Sequence, residues 1–294
     1  MSVFCVKNLN AAWKEKSKEN SQTLILKNIS FSVKSGEFVC LTGPNGSGKS
    51  TLLSIMDNVI SSNLCVDFTA TDMDTDKATE DEKQILECKN GIFLDEINIK
   101  SFSRRKLAVK IAWLTQKETF TWSYSVMDTV LSARFCHTGS STYTLEDYHK
   151  AEEALKRVQM EAFKERSVKE LSGGELQKVR IARAICQEPD VFLLDEPVAN
   201  LDFGYQEELL ELLVELCHKE NKAIIISIHD INLAVRYADR LLVLAKLNNE
   251  RSLDKQLTIG KPIDIIKPEV LNTVYNQDFK TFIHPVYKCP QVCI

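Results

Sequence analysis

Three features of the chain predict an α/β fold, a mostly parallel sheet with helices on its faces. Short apolar and β-branched runs alternate with stretches of helical periodicity. A glycine-rich loop, Gly43-Pro44-Asn45-Gly46-Ser47-Gly48-Lys49-Ser50-Thr51, lies between one such run and one such stretch and fits G-x-x-x-x-G-K-[ST] at every position. A later run, Val191-Phe192-Leu193-Leu194, delivers two adjacent acids, Asp195 and Glu196, at its C-terminal end, where open α/β sheets bind ligands.

In chain order, Ile29–Val33 reads as a strand and Phe38–Leu41 as a short buried one, followed by the loop and a helix marked by Leu52, Leu53 and Met56. A loop ending on a helix N-terminus gathers backbone N–H groups around an anion. Its glycines let the chain wrap a triphosphate, Lys49 can reach the β/γ-phosphates, and the Ser50 hydroxyl can ligate Mg²⁺. A glycine-rich turn that merely happens to precede Lys-Ser is the bland alternative, and the flanking strand and helix argue against it. From Asp67 to Glu82 seven acids face one lysine, which reads as a solvated insertion; its spacing lacks the glycine and terminal Glu of an EF-hand. Helices are expected at about 147–160, 174–186, 205–218 and 231–237, and further strands at Ile224–Ser227 and Leu241–Leu244. The 205–218 segment carries leucines on one face and glutamates on the other, as a helix packed on a sheet does.

Composition narrows the function. A net charge of −4 does not favour nucleic acid as a partner, although a local basic patch is compatible with it. No apolar run approaches the roughly 18 residues of a membrane span, and the N-terminus lacks the layout of a signal peptide, so a cytosolic location is expected. Nine cysteines without a C-x-x-C pair suit reduced thiols; Cys289 and Cys293 could pair or bind metal, but two free thiols is the preferred reading.

Leu171-Ser172-Gly173-Gly174-Glu175-Leu176-Gln177 opens another helix, with Ser172 as a good N-cap and two glycines leaving N–H groups bare for a phosphate. Alone it is only a capped helix start. Together with the phosphate loop and the two acids, it makes the chain resemble the ATP-binding subunit of an ABC transporter over nearly its whole length. The resemblance implies a P-loop NTPase of ABC type, with a mostly parallel sheet core, an antiparallel β edge and an inserted helical subdomain. It implies a single ATP-binding domain over 1–294: a catalytic core at about 1–117 and 186–250, a helical subdomain at about 118–185, and a C-terminal extension at about 251–294.

By the same resemblance Gln116 is the Q-loop, Asn200-Leu201-Asp202 the D-loop and His229 the switch histidine. The implied catalytic set is Lys49, Gln116, Glu196 and His229, with Glu196 polarising the attacking water. Mg²⁺ would be held by Ser50 and Gln116 and, through water, by Asp195. Trp13 stands where the family places an aromatic on adenine, beside a polar loop at Lys14–Gln22; a core aromatic is the alternative. The signature residues Ser172, Gly173, Gly174 and Glu175 would act on ATP bound to a second copy, giving a two-fold sandwich dimer. Membrane permease subunits, and indirectly a substrate-binding protein, are the other implied partners. Phe120, Trp122 and Tyr124 could line the groove that receives the permease, or pack the small subdomain.

Finer likeness points to importers of iron-siderophore, heme or cobalamin type. It rests on Gly91–Asp95, Leu107–Gln116, Ser227–Arg240 and Val274–Phe279. Zinc or manganese importers share parts of it, an exporter ATPase subunit is a further alternative because many exporters also have a separate ATPase chain, and a soluble ABC ATPase is a more distant one. The acidic insertion and a charged stretch at Lys246–Lys255 depart from the family pattern without removing a catalytic group.

Overall fold

A computed structural model describes residues 2–14, 22–69, 89–119, 121, 123–138, 142–199, 201–247 and 255–293. Phe120, Trp122, Asn200, most of the acidic insertion, the polar loop at 15–21 and the stretch at 248–254 lie outside the described residues.

The elements run in order β1 (Ser2–Lys14), β2 (Gln22–Lys34), β3 (Phe38–Thr42), α1 (Lys49–Met56), β4 (Leu64–Asp67), β5 (Gly91–Leu94) and β6 (Ile97–Asn98). Next come α2 (Arg104–Lys110), β7 (Ile111–Leu114), α3 (Val126–Leu131), α4 (Phe135–Thr138), α5 (Leu145–Arg157), α6 (Gly173–Cys186) and β8 (Val191–Asp195). The chain continues through α7 (Phe203–Glu220), β9 (Ala223–Ser227), α8 (Ile231–Tyr237), β10 (Arg240–Leu244) and β11 (Leu257–Gly260). It closes with α9 (Pro262–Ile265), α10 (Pro268–Tyr275), β12 (Lys280–Ile283) and β13 (Pro290–Cys293).

The central sheet has the order β11-β10-β3-β9-β8-β7, parallel throughout except for the antiparallel edge strand β11. Strands β3, β8, β9 and β10 are buried on both faces, and side-chain alternation sorts them. Phe38, Cys40, Phe192, Leu194, Ile224, Ile226, Leu241 and Val243 join the apolar cluster that includes the buried faces of α3, α5, α6 and α7. Val39, Leu41, Val191, Leu193, Ile225, Leu242 and Leu244 join the opposite cluster, filled by Leu52, Leu53, Ile55 and Met56 of α1 and by β1 and β2. Truncating one such large side chain, Phe192 for example, costs about 3–5 kcal/mol.

The antiparallel part is a second sheet of its own, ordered β2-β1-β5-β6 with β4 also on β1. The segment expected as the helical subdomain, 118–185, holds α3, α4, α5 and nearly all of α6, and the apolar faces of α3, α5 and α6 share one cluster with the central sheet. Arg134, buried where α3 passes into α4, ties this layer together: it donates to Asp147 Oδ1 at 2.9 Å, the Cys186 carbonyl at 2.9 Å and Glu188 Oε2 at 2.8 Å. Helix α5 starts two residues earlier than the periodicity indicates because Thr144 and Asp147 form a reciprocal capping box. Cys289 and Cys293 are both free thiols.

Asp57 caps the C-terminal end of α1, and burial pushes its carboxyl up to about 7 against the opposing charge of Arg104. The folded state then keeps a proton that the unfolded chain releases near pH 4, so stability falls as pH rises from there through about 7. Asp57→Asn is expected to raise the melting temperature at pH 8 clearly more than at pH 5. Equal shifts at the two pH values would show that no buried neutral carboxyl is present.

Candidate nucleotide site

Four parallel strands, in the order β3-β9-β8-β7, end on one edge of the sheet, and each releases a residue singled out in the sequence. The phosphate loop follows β3, His229 follows β9, Glu196 follows β8 and Gln116 follows β7. Adjacency of the strands, not of the sequence, brings them together.

The loop is pinned at its root. Gly43 has φ 148°, and a Cβ there would sit 2.1 Å from the Leu244 carbonyl oxygen, so only glycine lets the loop press against β10. Thr42, just before it, bonds through Oγ1 to the Tyr275 hydroxyl at 2.9 Å, so α10 braces the same root. Lys49 folds over its own loop, donating to the carbonyls of Gly43 at 2.8 Å and Pro44 at 3.2 Å. Burial holds its ammonium below the ordinary lysine pKa, opposed by the charges of Glu196 and Asp195. Ser47 Oγ is buried with no hydrogen-bond partner among the described residues, an orphan inside a loop shaped for an anion. Asn45, Gly46 and Ser50 are exposed, and Pro44, Gly48 and Thr51 half-buried.

The carboxylates are held differently. Asp195 is buried and accepts from Ser227 Oγ at 2.7 Å, and the same oxygen accepts the Glu196 N–H at 2.8 Å. Glu196 sits in the left-handed region at φ 51°. Its side chain is gripped from both neighbouring strands: Gln116 Nε2 donates to Oε2 at 2.7 Å, and His229 Nε2 contacts Oε1.

At the start of α6, Ser172 and Glu175 form a capping box, with the Ser172 N–H on Glu175 Oε2 at 2.7 Å and the Glu175 N–H on Ser172 Oγ at 3.3 Å. Ser172 and Gly173 are exposed, a Cβ on Gly173 would meet nothing within 4 Å, and one on Gly174 would lie 3.6 Å from Leu201. The helix is stitched to the loops after β7 and β8 by Gln177, the last residue of the motif, and by Arg180, which the motifs do not include. Gln177 Nε2 donates to the Pro197 carbonyl at 2.8 Å, and Arg180 donates to Gln177 Oε1 at 2.7 Å and to the Thr115 carbonyl. Arg180 and Arg183 also share Glu118, at 3.2 Å and 2.6 Å. Asp202 is exposed at the N-cap of α7 without a side-chain cap bond. Trp13 is half-buried on β1, opposite Thr23 and Leu64, and packs against the apolar cluster of the antiparallel sheet.

The family model for the ABC transporter domain matches residues 26–199, more than half of the chain. This chain belongs to the ABC transporter family. It is an ATP-binding subunit of that family and an ATPase. An uncharacterized ABC transporter ATP-binding protein of Methanocaldococcus jannaschii is 36% identical over 257 residues, covering 86% of each chain. The hemin import ATP-binding protein HmuV of Deinococcus radiodurans is 30% identical, covering 91% of this chain and 90% of its own. The petrobactin import ATP-binding protein FpuD of Bacillus anthracis is 30% identical, covering 93% and 88%. Among solved structures, the ABC cassette MJ0796, dimeric in a post-hydrolysis state with ADP and Pi, superposes with a TM-score of 0.64 at 27% identity, covering 82% of this chain and 94% of its own. Among the described residues no helix is long and apolar enough to cross a membrane.

The two kinds of glycine in this cassette can be told apart by stability. Gly43→Ala drives a Cβ into a backbone oxygen and is expected to cost more than about 1 kcal/mol. Gly173→Ala enters open space at a helix start and is expected to stay within about 1 kcal/mol of the parent or to gain slightly. Urea midpoints of the two variants check this; equal losses would contradict the geometry at Gly43.

Proposed function

We propose that this cassette is the motor of an importer for an iron chelate such as a siderophore or heme, or for cobalamin, and that it works as a two-fold dimer. The observation that carries the catalytic part is the row Gln116–Glu196–His229 set beside Lys49 on one sheet edge. The cargo class rests on relatives named for hemin, petrobactin and cobalamin import.

In this reading Lys49 leaves the Gly43 and Pro44 carbonyls for the β/γ-phosphates, joined by the N–H groups of Gly43–Thr51, and Trp13 stacks on adenine. The candidate metal donors, the Ser50 hydroxyl, the Gln116 amide oxygen and the Asp195 carboxylate, are all oxygens, which suits Mg²⁺. Gln116 fits this role because its nitrogen, not its oxygen, is spent on Glu196. Mg²⁺, when bound, neutralises charge building on the phosphate oxygens. Gln116 turns its oxygen toward the metal and His229 turns toward the γ-phosphate, so both grips on Glu196 loosen as nucleotide binds. Glu196 is then free to polarise the attacking water.

Ser172, Gly173, Gly174 and Glu175 supply the remaining phosphate contacts from the second copy, with Asp202 at the same junction. The exposure of Ser172 and Gly173 at an open helix start supports this assignment. ATP favours the closed dimer because only that state completes both phosphate shells, and hydrolysis reopens it. Permease subunits would dock near exposed Tyr124, placing the chain on the cytoplasmic face of the membrane.

Glu196→Gln is expected to slow turnover at least about 100-fold and to accumulate an ATP-bound dimer, while Lys49→Ala weakens ATP affinity by about ten-fold or more. Steady-state hydrolysis, size-exclusion chromatography with ATP and nucleotide titration check these outcomes. Parental turnover in Glu196→Gln would refute the water-polarising role. Purification from solubilised membranes is expected to recover a polytopic permease, and recovery of ribosomes or DNA instead would refute the transport reading.

A further inference from the structure

We propose that Ser227 is a positioning residue for ATP hydrolysis, because its one hydroxyl fixes the two carboxylates at the end of β8 relative to each other and to His229. The proposal rests on the reading that Asp195 serves the metal and Glu196 the attacking water.

Strand β9 runs Ala223-Ile224-Ile225-Ile226 and then places a hydroxyl, Ser227, where every residue is buried. A hydroxyl in the middle of a parallel sheet is costly unless its bonds are made. Both are made, and both go to the site. The strand register sets Ser227 beside Asp195. The Glu196 N–H can only donate, and it donates to Ser227 Oγ at 2.8 Å. The single Ser227 proton is thereby left for Asp195 Oδ1, 2.7 Å away. The direction of the chain Glu196 N–H to Ser227 O–H to Asp195 is thus set by chemistry alone.

Two consequences follow for the carboxylates. Asp195 has Oδ1 committed to β9, which leaves Oδ2 as its oxygen for a cation or its water. Glu196 is kept in a left-handed backbone conformation that L-residues rarely adopt, and Ser227 supplies the partner its N–H needs where the β8 ladder ends. The turn that follows is closed by the Ala199 N–H on the Glu196 carbonyl at 3.1 Å. Ser227 is also the last residue of β9, two positions before His229, so any displacement of the end of β9 moves the histidine and both carboxylates together. A small apolar residue at 227 would leave the Glu196 N–H unpaired and Asp195 free to rotate.

The test compares the full-length parent, Ser227→Ala, Ser227→Cys, Ser227→Thr and Glu196→Gln, measuring ATP hydrolysis against ATP and against Mg²⁺, together with thermal melting. Ser227→Ala is expected to lower kcat about ten-fold or more, as loss of a hydrogen bond to a charged group does. Its KM for ATP is expected to stay within about two-fold, and its half-activating Mg²⁺ concentration to rise several-fold, roughly the effect of one lost charge-assisted bond. Ser227→Cys, nearly isosteric but a weak donor, is expected to fall with Ser227→Ala, and Ser227→Thr to recover toward the parent. Parental kcat and Mg²⁺ dependence in Ser227→Ala or Ser227→Cys would overturn the proposal while leaving the Glu196 assignment standing. A purely structural role would instead lower melting temperature without shifting the Mg²⁺ curve, and that result also overturns it. Parental turnover in Glu196→Gln would remove the underlying reading and this proposal with it.

Discussion

Burial of both faces of the parallel sheet holds β3, β9, β8 and β7 in fixed neighbourhood, and the phosphate loop, Gln116, Asp195, Glu196 and His229 hang from their common edge. Because the strands are parallel, their C-terminal ends fall together; because each is apolar on both sides, none can slip without exposing a row of Ile, Leu or Val. A side chain that follows a strand directly inherits that rigidity. Asp195 is itself the last strand residue, Glu196 comes one position later, and Gln116 and His229 two positions after the ends of their strands. Supporting residues reinforce the edge from outside: Tyr275 at the root of the phosphate loop, and Gln177 and Arg180 of α6 on the loops after β8 and β7.

Charge explains the contacts among the site's own residues. Lys49 is buried among its own loop carbonyls with two carboxylates nearby, and Glu196 is capped by an amide and an imidazole. Each charged group has a partner that a nucleotide and its metal could replace, so filling the site exchanges contacts instead of creating charge in a dry interior. The C-terminal segment belongs to the same arrangement. Asn232, three residues after His229 and on α8, binds Val292 through both its side-chain oxygen, at 2.8 Å, and its nitrogen, at 3.1 Å. Arg236 of α8 lies over the Tyr287 ring at 3.9 Å and pairs with Glu207 of α7.

The parts of this account that were legible in the sequence are those whose chemistry sits in consecutive residues. Gly43–Thr51, Ser172–Glu175 and Asp195–Glu196 each carry a complete local device, and the apolar runs of β3, β8, β9 and β10 mark buried strands without ambiguity. Ser227 was hidden because its partners are 31 and 32 residues away, and a serine at the end of an apolar run reads as a strand terminator. Gln177 and Arg180 look like the polar face of an amphipathic helix until their targets at Pro197 and Thr115 are known. Strand β1 escaped for a different reason. Its alternation is broken by register shifts and by Asn8, at φ 55°, which is buried with its N–H on Ser30 Oγ at 2.9 Å. A buried Asn in a strand defeats a pattern that counts polar residues as outward-facing. The start of α5 is hidden in the sequence because its capping box uses Asp at the third position where Glu or Gln is the usual signal.

The central claim is that Gln116 and His229, which grip Glu196, exchange that grip for metal and γ-phosphate when nucleotide binds. A structure of the full chain with Mg²⁺ and a non-hydrolysable ATP analogue tests it most directly. The account predicts the Gln116 oxygen on the metal, His229 on the γ-phosphate, Glu196 free of both, and Ser172 of a second copy over the phosphates. A filled site in which Gln116 and His229 still grip Glu196 would contradict it.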